Sequence, residues 1–208
     1  MTSRACMLTG RYMRNLRIGN GCSILDPWET TLPEVLQRAG WRTGLFGKLH
    51  LTPQLYTVQT LKSERPIHDP APFLRAAGSP VETPADPAKR WYGFQDAVGH
   101  EDILCADYLD WLERESPDTA RRMPYADWRA RRISASQCAR SLWRSEFPDV
   151  PNLSDVGVTD IPESLHPTMF VGRSAAEYFR ARHAERPCFM YVSFVDPHHP
   201  WSPPAETA

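Results

Sequence analysis

No run in this chain approaches the ~18 apolar residues that a membrane-spanning helix requires, so none of its 208 residues reads as part of a bilayer span. An excess of charge of either sign is missing too: 24 Lys and Arg against 25 Asp and Glu leave a formal net charge of −1. Such a balance provides no polycationic field to gather nucleic acid, and an anionic substrate has to be held by local groups. Cysteine is scarce and unpatterned. Cys6, Cys22, Cys105, Cys138 and Cys188 are odd in number, scattered, and form neither a C-x-x-C pair nor a zinc spacing, which reads as isolated, mostly buried thiols. No repeat or low-complexity tract is visible, and no basic-then-apolar leader follows Met1; the compartment stays open.

Proline, by contrast, is abundant, with 20 residues, about twice the ~5% of average usage. It clusters between Pro66 and Pro87 and again from Pro197 to Pro204, and those stretches read as loop. The length suits one ordinary domain. Residues 3–9 predict a short helix ended by Gly10, the residue best able to take left-handed backbone beyond a helix. Thr31-Leu32-Pro33-Glu34 has the capping-box pattern, and Val35, Leu36 and Ala39 give an apolar stripe before Gly40. A short strand, Thr43 to Phe46, follows.

From Leu51 to about Lys89 the pattern is aperiodic, and Trp91-Tyr92-Gly93-Phe94 predicts a buried aromatic turn. Residues 101–114 predict an amphipathic helix through Leu104, Tyr108, Trp111 and Leu112, and residues 171–183 another through Ala175, Tyr178, Phe179 and Arg182. Arg121 to Arg144 is basic and carries Trp; it reads either as an anion-attracting rim or, more economically, as a solvated helix face with Arg stems over Trp rings. Cys188 to Phe194 is almost continuously apolar, as expected in the middle of a parallel sheet covered on both faces. Strands alternating with helices make the class α/β, with a mostly parallel central sheet flanked by helices.

Three blocks carry chemistry. Ser3-Arg4 runs into Met7-Leu8-Thr9-Gly10-Arg11; Gly40-Trp41-Arg42-Thr43 is followed by Gly47-Lys48-Leu49-His50; and the strand Phe189 to Phe194 leads to Pro197-His198-His199-Pro200. Lys48 and His50 follow a strand two positions apart, so on extended backbone they point to one side. They also lie just past the strand's carboxyl end, where open α/β sheets build ligand crevices, and His198 takes the equivalent place after the later strand.

In this order the blocks resemble the sulfatases, whose signature is Cys-x-Pro-Ser-Arg, two or three spacers, two apolar residues and Thr-Gly-Arg. The resemblance implies an alkaline-phosphatase-like α/β domain of which residues 1–208 are an incomplete part. It implies hydrolysis of a sulfate monoester by a formylglycine nucleophile, made from the signature Cys by a formylglycine-generating enzyme, with a calcium ion (Ca2+) as cofactor. Arg4 would hold the formylglycine and its metal-site neighbours. Lys48 would contact the sulfate and the leaving-group oxygen, His50 would lie beside the formylglycine hydroxyls, and His198 would be a general acid or a sulfate-binding imidazole. Such a reaction asks for a nucleophile at sulfur, cations on the sulfuryl oxygens and a proton donor for the leaving group.

The chain departs from the pattern in ways that set further expectations. The signature Cys would be the residue before Met1, Thr2 stands where the signature has Pro, and the Asp and Asn metal ligands would lie beyond both ends. Residues 1–208 alone are therefore expected not to turn over substrate, and no metal ligand is assigned within them. His198-His199 could instead be a metal pair, although adjacent His residues point apart on a strand and only Asp196 lies near. Ser3 reads as a cap or modification-recognition residue, since no Ser-His-Asp signature accompanies it. A phosphonate or phosphate ester hydrolase on the same scaffold and a non-catalytic anion-binding module are the rival readings.

Overall fold

A computed structural model of the chain describes residues 2–18, 25–51, 90–101, 107–122, 143–145, 157–181, 185–198 and 201–207. Helix α1 (Thr2–Thr9) begins one residue earlier than the pattern predicts and ends at Gly10, which takes φ +66°. Helix α2 (Leu32–Arg38) leads into β1 (Arg42–Gly47), the aromatic turn lies at Arg90–Gly93, and β2 (Asp96–Gly99) follows. Then come α3 (Asp107–Glu115), α4 (Pro117–Arg122), β3 (Trp143–Ser145), β4 (Gly157–Thr159), α5 (Pro167–Ala181) and β5 (Cys188–Ser193).

Three strands form a parallel sheet in the order β2-β1-β5, with Gly47 paired to Gly99 on one side and to Ser193 on the other. Parallel pairing between strands so distant in sequence is the α/β class that the alternation of elements predicts. Alternation along β1 sends Phe46 and Leu45 to opposite faces, and each face has its own core. Phe46 joins Tyr108, Leu109 and Leu112 of α3 and Phe170, Val171 and Ala175 of α5. Leu45 joins Ala5 and Leu8 of α1 together with Tyr92 and Phe94 of the aromatic turn. β1 is thus the strand covered on both faces.

Two further strands, β3 and β4, pair antiparallel, and residues 201–205 run beside β4 through Gly157 N–H to Trp201 and Thr159 N–H to Pro203. Among the described residues no helix is long and apolar enough to cross a membrane. Cys6 and Cys188 are free, half-buried thiols; the other three cysteines lie outside the described residues.

Several local expectations change. The Thr31 hydroxyl does not cap α2; it donates to the Tyr92 carbonyl at 2.6 Å, and Glu34 pairs with Arg38 at 2.6 Å. The buried side of α2 is Pro33 and Glu34, while Val35 is 50% exposed and Leu36 only half-buried. The reason is close backbone contact: a Cβ on Gly93 (φ +88°) would sit 2.2 Å from the Glu34 nitrogen, so the aromatic turn draws in the helix's first turn instead of its apolar stripe.

The later helices shift as well. Of the predicted helix over 101–114, the described part is Asp107–Glu115, and Asp107 Oδ2 accepts from the Gly99 N–H at 2.6 Å; residues 102–106, Leu104 among them, lie outside the described residues. α5 starts at Pro167, ahead of the predicted 171, and Phe179 faces solvent. The basic segment ends in a strand at Trp143–Ser145, and its middle, like the Pro-rich 52–89, lies outside the described residues. Finally, β5 is an edge of the described sheet, with Val192 and Phe194 exposed, because β1 takes the central place.

Candidate functional site

Four segments meet at the carboxyl edge of the parallel sheet, where crevices form in such folds. They are the start of α1, the turn after β1, the residues after β2 and the end of β5. The turn after β1 begins at Gly47, whose φ is +92° and on which a Cβ would lie 2.1 Å from the Ser193 carbonyl oxygen. Only glycine permits that approach, and the approach lets the same carbonyl accept the Lys48 N–H at 2.8 Å. His50 then takes φ +51°, so the chain leaves the extended state at once. Lys48 and His50 are brought together by a tight turn, not by the strand alternation that their spacing suggests.

Arg4, on α1, donates from Nη2 to the Ser193 hydroxyl at 3.3 Å. From the other side, Glu101 Oε1 accepts the backbone N–H groups of both Leu49 and His50 at 2.9 Å each. The His100 N–H reaches the Gly47 carbonyl at 3.3 Å, and the His100 ring lies 5.3 Å from that of Tyr108. His198 sits in a turn after β5, its N–H on the Val195 carbonyl at 3.0 Å.

The electrostatics follow from burial. Lys48 is 3% exposed; burial lowers its pKa to about 8, with the Glu101 charge pulling it up and that of Arg4 pushing it down. His50 falls to about 4, through burial first and then the charges of Lys48, Arg4 and His198. The sequence-predicted residues Arg4, Lys48 and His198 therefore each lie within electrostatic reach of the fourth, His50. His100 falls to about 3 by burial, with Asp196 opposing and His166 and Lys48 adding to the shift. At neutral pH the site holds two cations, Lys48 and Arg4, beside imidazoles that stay uncharged at His50 and His100. Arg4 Nε and His100 Nδ1 are buried with no hydrogen-bond partner among the described residues, and buried donors of this kind normally find one.

Ser193, His100 and Glu101 were not singled out by sequence. The rule that finds Lys48, a polar residue just past the carboxyl end of a parallel strand, would also have found His100 and Glu101 had β2 been recognised. His199 lies outside the described residues. Among the described residues no group of three or more His, Cys, Asp or Glu could hold a metal ion. The arrangement suits a tetrahedral oxyanion: a buried ammonium, a guanidinium and neutral imidazoles on one rim.

Comparison with known proteins gives a consistent frame. The family model described as Sulfatase matches residues 1–208. An arylsulfatase of Clostridium perfringens (strain 13 / Type A) is 23% identical over 208 residues, 98% of this chain and 34% of that protein. An N-acetylglucosamine-6-O-sulfatase of Bacteroides thetaiotaomicron is 39% identical over 49 residues, 24% of this chain and 9% of that protein. Among solved structures, the phosphonate monoester hydrolase of Agrobacterium radiobacter matches with a TM-score of 0.54 at 21% identity, covering 98% of this chain and 32% of that one. The phosphonate monoester hydrolase SpPMH from Silicibacter pomeroyi gives 0.53 at 18%, covering 98% and 33%. These two likenesses speak to the fold, which is alkaline-phosphatase-like. The chain spans about a third of the length of the arylsulfatase and of both hydrolases.

Proposed function

The chain belongs to the sulfatase family, and on that premise we propose that its carboxyl-edge cluster is the oxyanion-binding side of a sulfate monoester hydrolase site. The observation that carries the reading is the meeting of Arg4, Lys48 and His198, from distant parts of the chain, about the His50 imidazole, with the Lys48 ammonium buried among them.

In this reading the Lys48 ammonium, charged below about pH 8, lies on the sulfuryl oxygens and the leaving-group oxygen. A lysine loosened by burial releases its proton more readily than a solvated one, which suits a donor to a departing alkoxide or phenoxide. Neutral His50 hydrogen-bonds to the hydroxyls of the nucleophile and takes no charge from it. Arg4, braced on Ser193, orients the nucleophile from α1, and His198 donates to the sulfate or to the leaving group.

The nucleophile that the family relationship implies is a formylglycine hydrate, which supplies an oxygen to attack sulfur. In the signature's register its slot adjoins Met1, and its maker, the formylglycine-generating enzyme, is the implied partner. The calcium implied by the same relationship finds no fitting donor set among the described residues, and no step is assigned to it. Residues 1–208 on this reading bind a sulfated small molecule but do not turn it over.

A second reading is favoured by the fold match to two phosphonate monoester hydrolases: the same cations accept any tetrahedral oxyanion. The test is to express the longest in-frame product containing residues 1–208 and assay it on matched aryl sulfate, phosphate and phosphonate monoesters. The proposal expects the sulfate ester to be hydrolysed fastest, and Lys48→Ala to abolish it. Faster phosphonate turnover would transfer the assignment to the second reading, and no turnover of any ester would defeat both.

A further inference from the structure

An acidic residue on the floor of an anion site is unexpected. Glu101 is 4% exposed, its charge is the leading influence holding the Lys48 proton on, and it would repel any oxyanion sharing the pocket. Its geometry explains why it is tolerated. One oxygen, Oε1, accepts two consecutive backbone N–H groups, those of Leu49 and His50, at 2.9 Å each from 51 and 52 residues away.

Those N–H groups belong to the tight turn after β1. Gly47 and His50 both take positive φ, +92° and +51°, and a non-glycine residue in that region costs on the order of 1 kcal/mol or more unless its surroundings fix it. The Ser193 carbonyl ties the first half of the turn through Lys48 N–H at 2.8 Å. Glu101 ties the second half. Hydrogen bonds to a charged acceptor are also stronger than neutral ones, so a carboxylate serves here better than an amide would.

The charge has a second effect. Among the described residues, the groups that act on or feel Lys48 include Glu101, the Arg4 guanidinium, and the imidazoles of His50 and His100, which are neutral near pH 7. Glu101 is therefore a negative charge acting on a buried ammonium that also feels a guanidinium. Without it, burial and Arg4 would both act to lower the Lys48 pKa with that opposing charge gone.

We propose that Glu101 is a positioning residue of the anion pocket: its Oε1 fixes the Gly47–His50 turn that presents Lys48 and His50, and its charge balances the Lys48 ammonium. The role rests on the oxyanion reading given above, but its test does not. The chain has three lysines, Lys48, Lys62 and Lys89, so the full 208-residue chain labelled with 13C-lysine gives a side-chain NMR titration simple enough to follow Lys48 alone.

In Glu101→Gln, whose amide oxygen still accepts both N–H groups, the Lys48 midpoint should drop by ~1 pH unit or more while the Leu49 and His50 amide signals stay in place. In Glu101→Asp, which keeps the charge but shortens the reach, the two amide signals should move with the Lys48 midpoint nearly retained. Inorganic sulfate should bind Glu101→Gln roughly threefold more weakly at pH 7.5, following the lost protonated fraction, and no more weakly at pH 6. A Lys48 midpoint unchanged in Glu101→Gln, or amide signals unchanged in Glu101→Asp, would overturn the proposal. Should both NMR effects occur while sulfate binds neither protein, Glu101 keeps its role and it is the oxyanion reading that fails.

Discussion

Arg4 and Ser193 stand 189 residues apart in sequence and are joined by an Nη2-to-Oγ hydrogen bond of 3.3 Å. Ser193 has a second duty, since its carbonyl accepts the Lys48 N–H at 2.8 Å. A single residue at the end of β5 thereby sets the distance between the guanidinium on α1 and the ammonium after β1. Ser193→Ala removes only the first of these bonds. It should lower stability by about 1 kcal/mol, as loss of one part-buried hydrogen bond does, and leave the β1–β5 pairing intact. Sulfate affinity should fall several-fold through Arg4 alone. Urea unfolding and a sulfate titration read the two effects, and an unchanged affinity would mean that Arg4 does not depend on Ser193 for its place.

The pH dependence of anion binding has a definite sign. Lys48 carries its charge below about pH 8 and loses it above, because burial disfavours the ammonium. Sulfate affinity should be flat from pH 6 to 7.5 and then fall by about tenfold per unit once the lysine is mostly neutral. Stability moves the other way: the folded value lies below the 10.5 of an ordinary lysine, so the unfolded chain binds more protons between the two and stability rises with pH across that window. Calorimetric titration and denaturant melts from pH 6 to 10 should show the opposed slopes. Parallel slopes would remove Lys48 from the pocket.

How much of this was legible beforehand depends on what fixes each feature. The helix ended by Gly10, the strand at Thr43 to Phe46 and the places of Lys48, His50 and His198 just past the ends of parallel strands follow from short-range signals and from the rule that parallel strands end at a crevice. Val35 on the surface and Glu34 in the interior were not legible, because a backbone contact with Gly93, far along the chain, decides which side of α2 is buried. Ser193 and Glu101 act through hydrogen bonds to distant backbone, and such partners leave no periodic trace in sequence. β5 reads as a covered strand from its apolar run, yet among the described residues it is an edge. Strand order is a tertiary property that composition does not carry.

Acid sensitivity should originate at His100. The ring is 3% exposed and packed on Tyr108 at 5.3 Å, and burial holds its pKa down to about 3 from 6.5. A group whose folded value is depressed contributes stability that is complete above its unfolded pKa and is lost as pH falls toward the folded one, here between about 6.5 and 3. His50, lowered to about 4, acts in the upper part of the same window. The combined loss should amount to several kcal/mol by pH 3. His100→Phe keeps an aromatic ring against Tyr108 and removes the titration, so its stability should decline less steeply below pH 6.5. Equal slopes for the two proteins in guanidinium melts would assign the acid limb elsewhere.

Gly47 is where sequence, backbone and site are most tightly bound together. Its φ of +92° is strained for any L-residue, and a Cβ would lie 2.1 Å from the Ser193 oxygen and 3.2 Å from Val171 Cγ1. The first contact cannot relax by a side-chain rotation, because its partner is backbone and that backbone accepts the Lys48 N–H. Gly47→Ala must therefore push β5 away from β1 or flip the turn. The expected loss is about 3 kcal/mol or more, the range of severe backbone conflicts. In whatever folded fraction survives, Lys48 should lose its contact with Ser193 and titrate closer to an exposed lysine, moving up from about 8. A thermal melt and the 13C-lysine titration measure the two consequences together. A variant as stable as the parent, with Lys48 unmoved, would mean that the close approach of Ser193 to Gly47 does not shape the site.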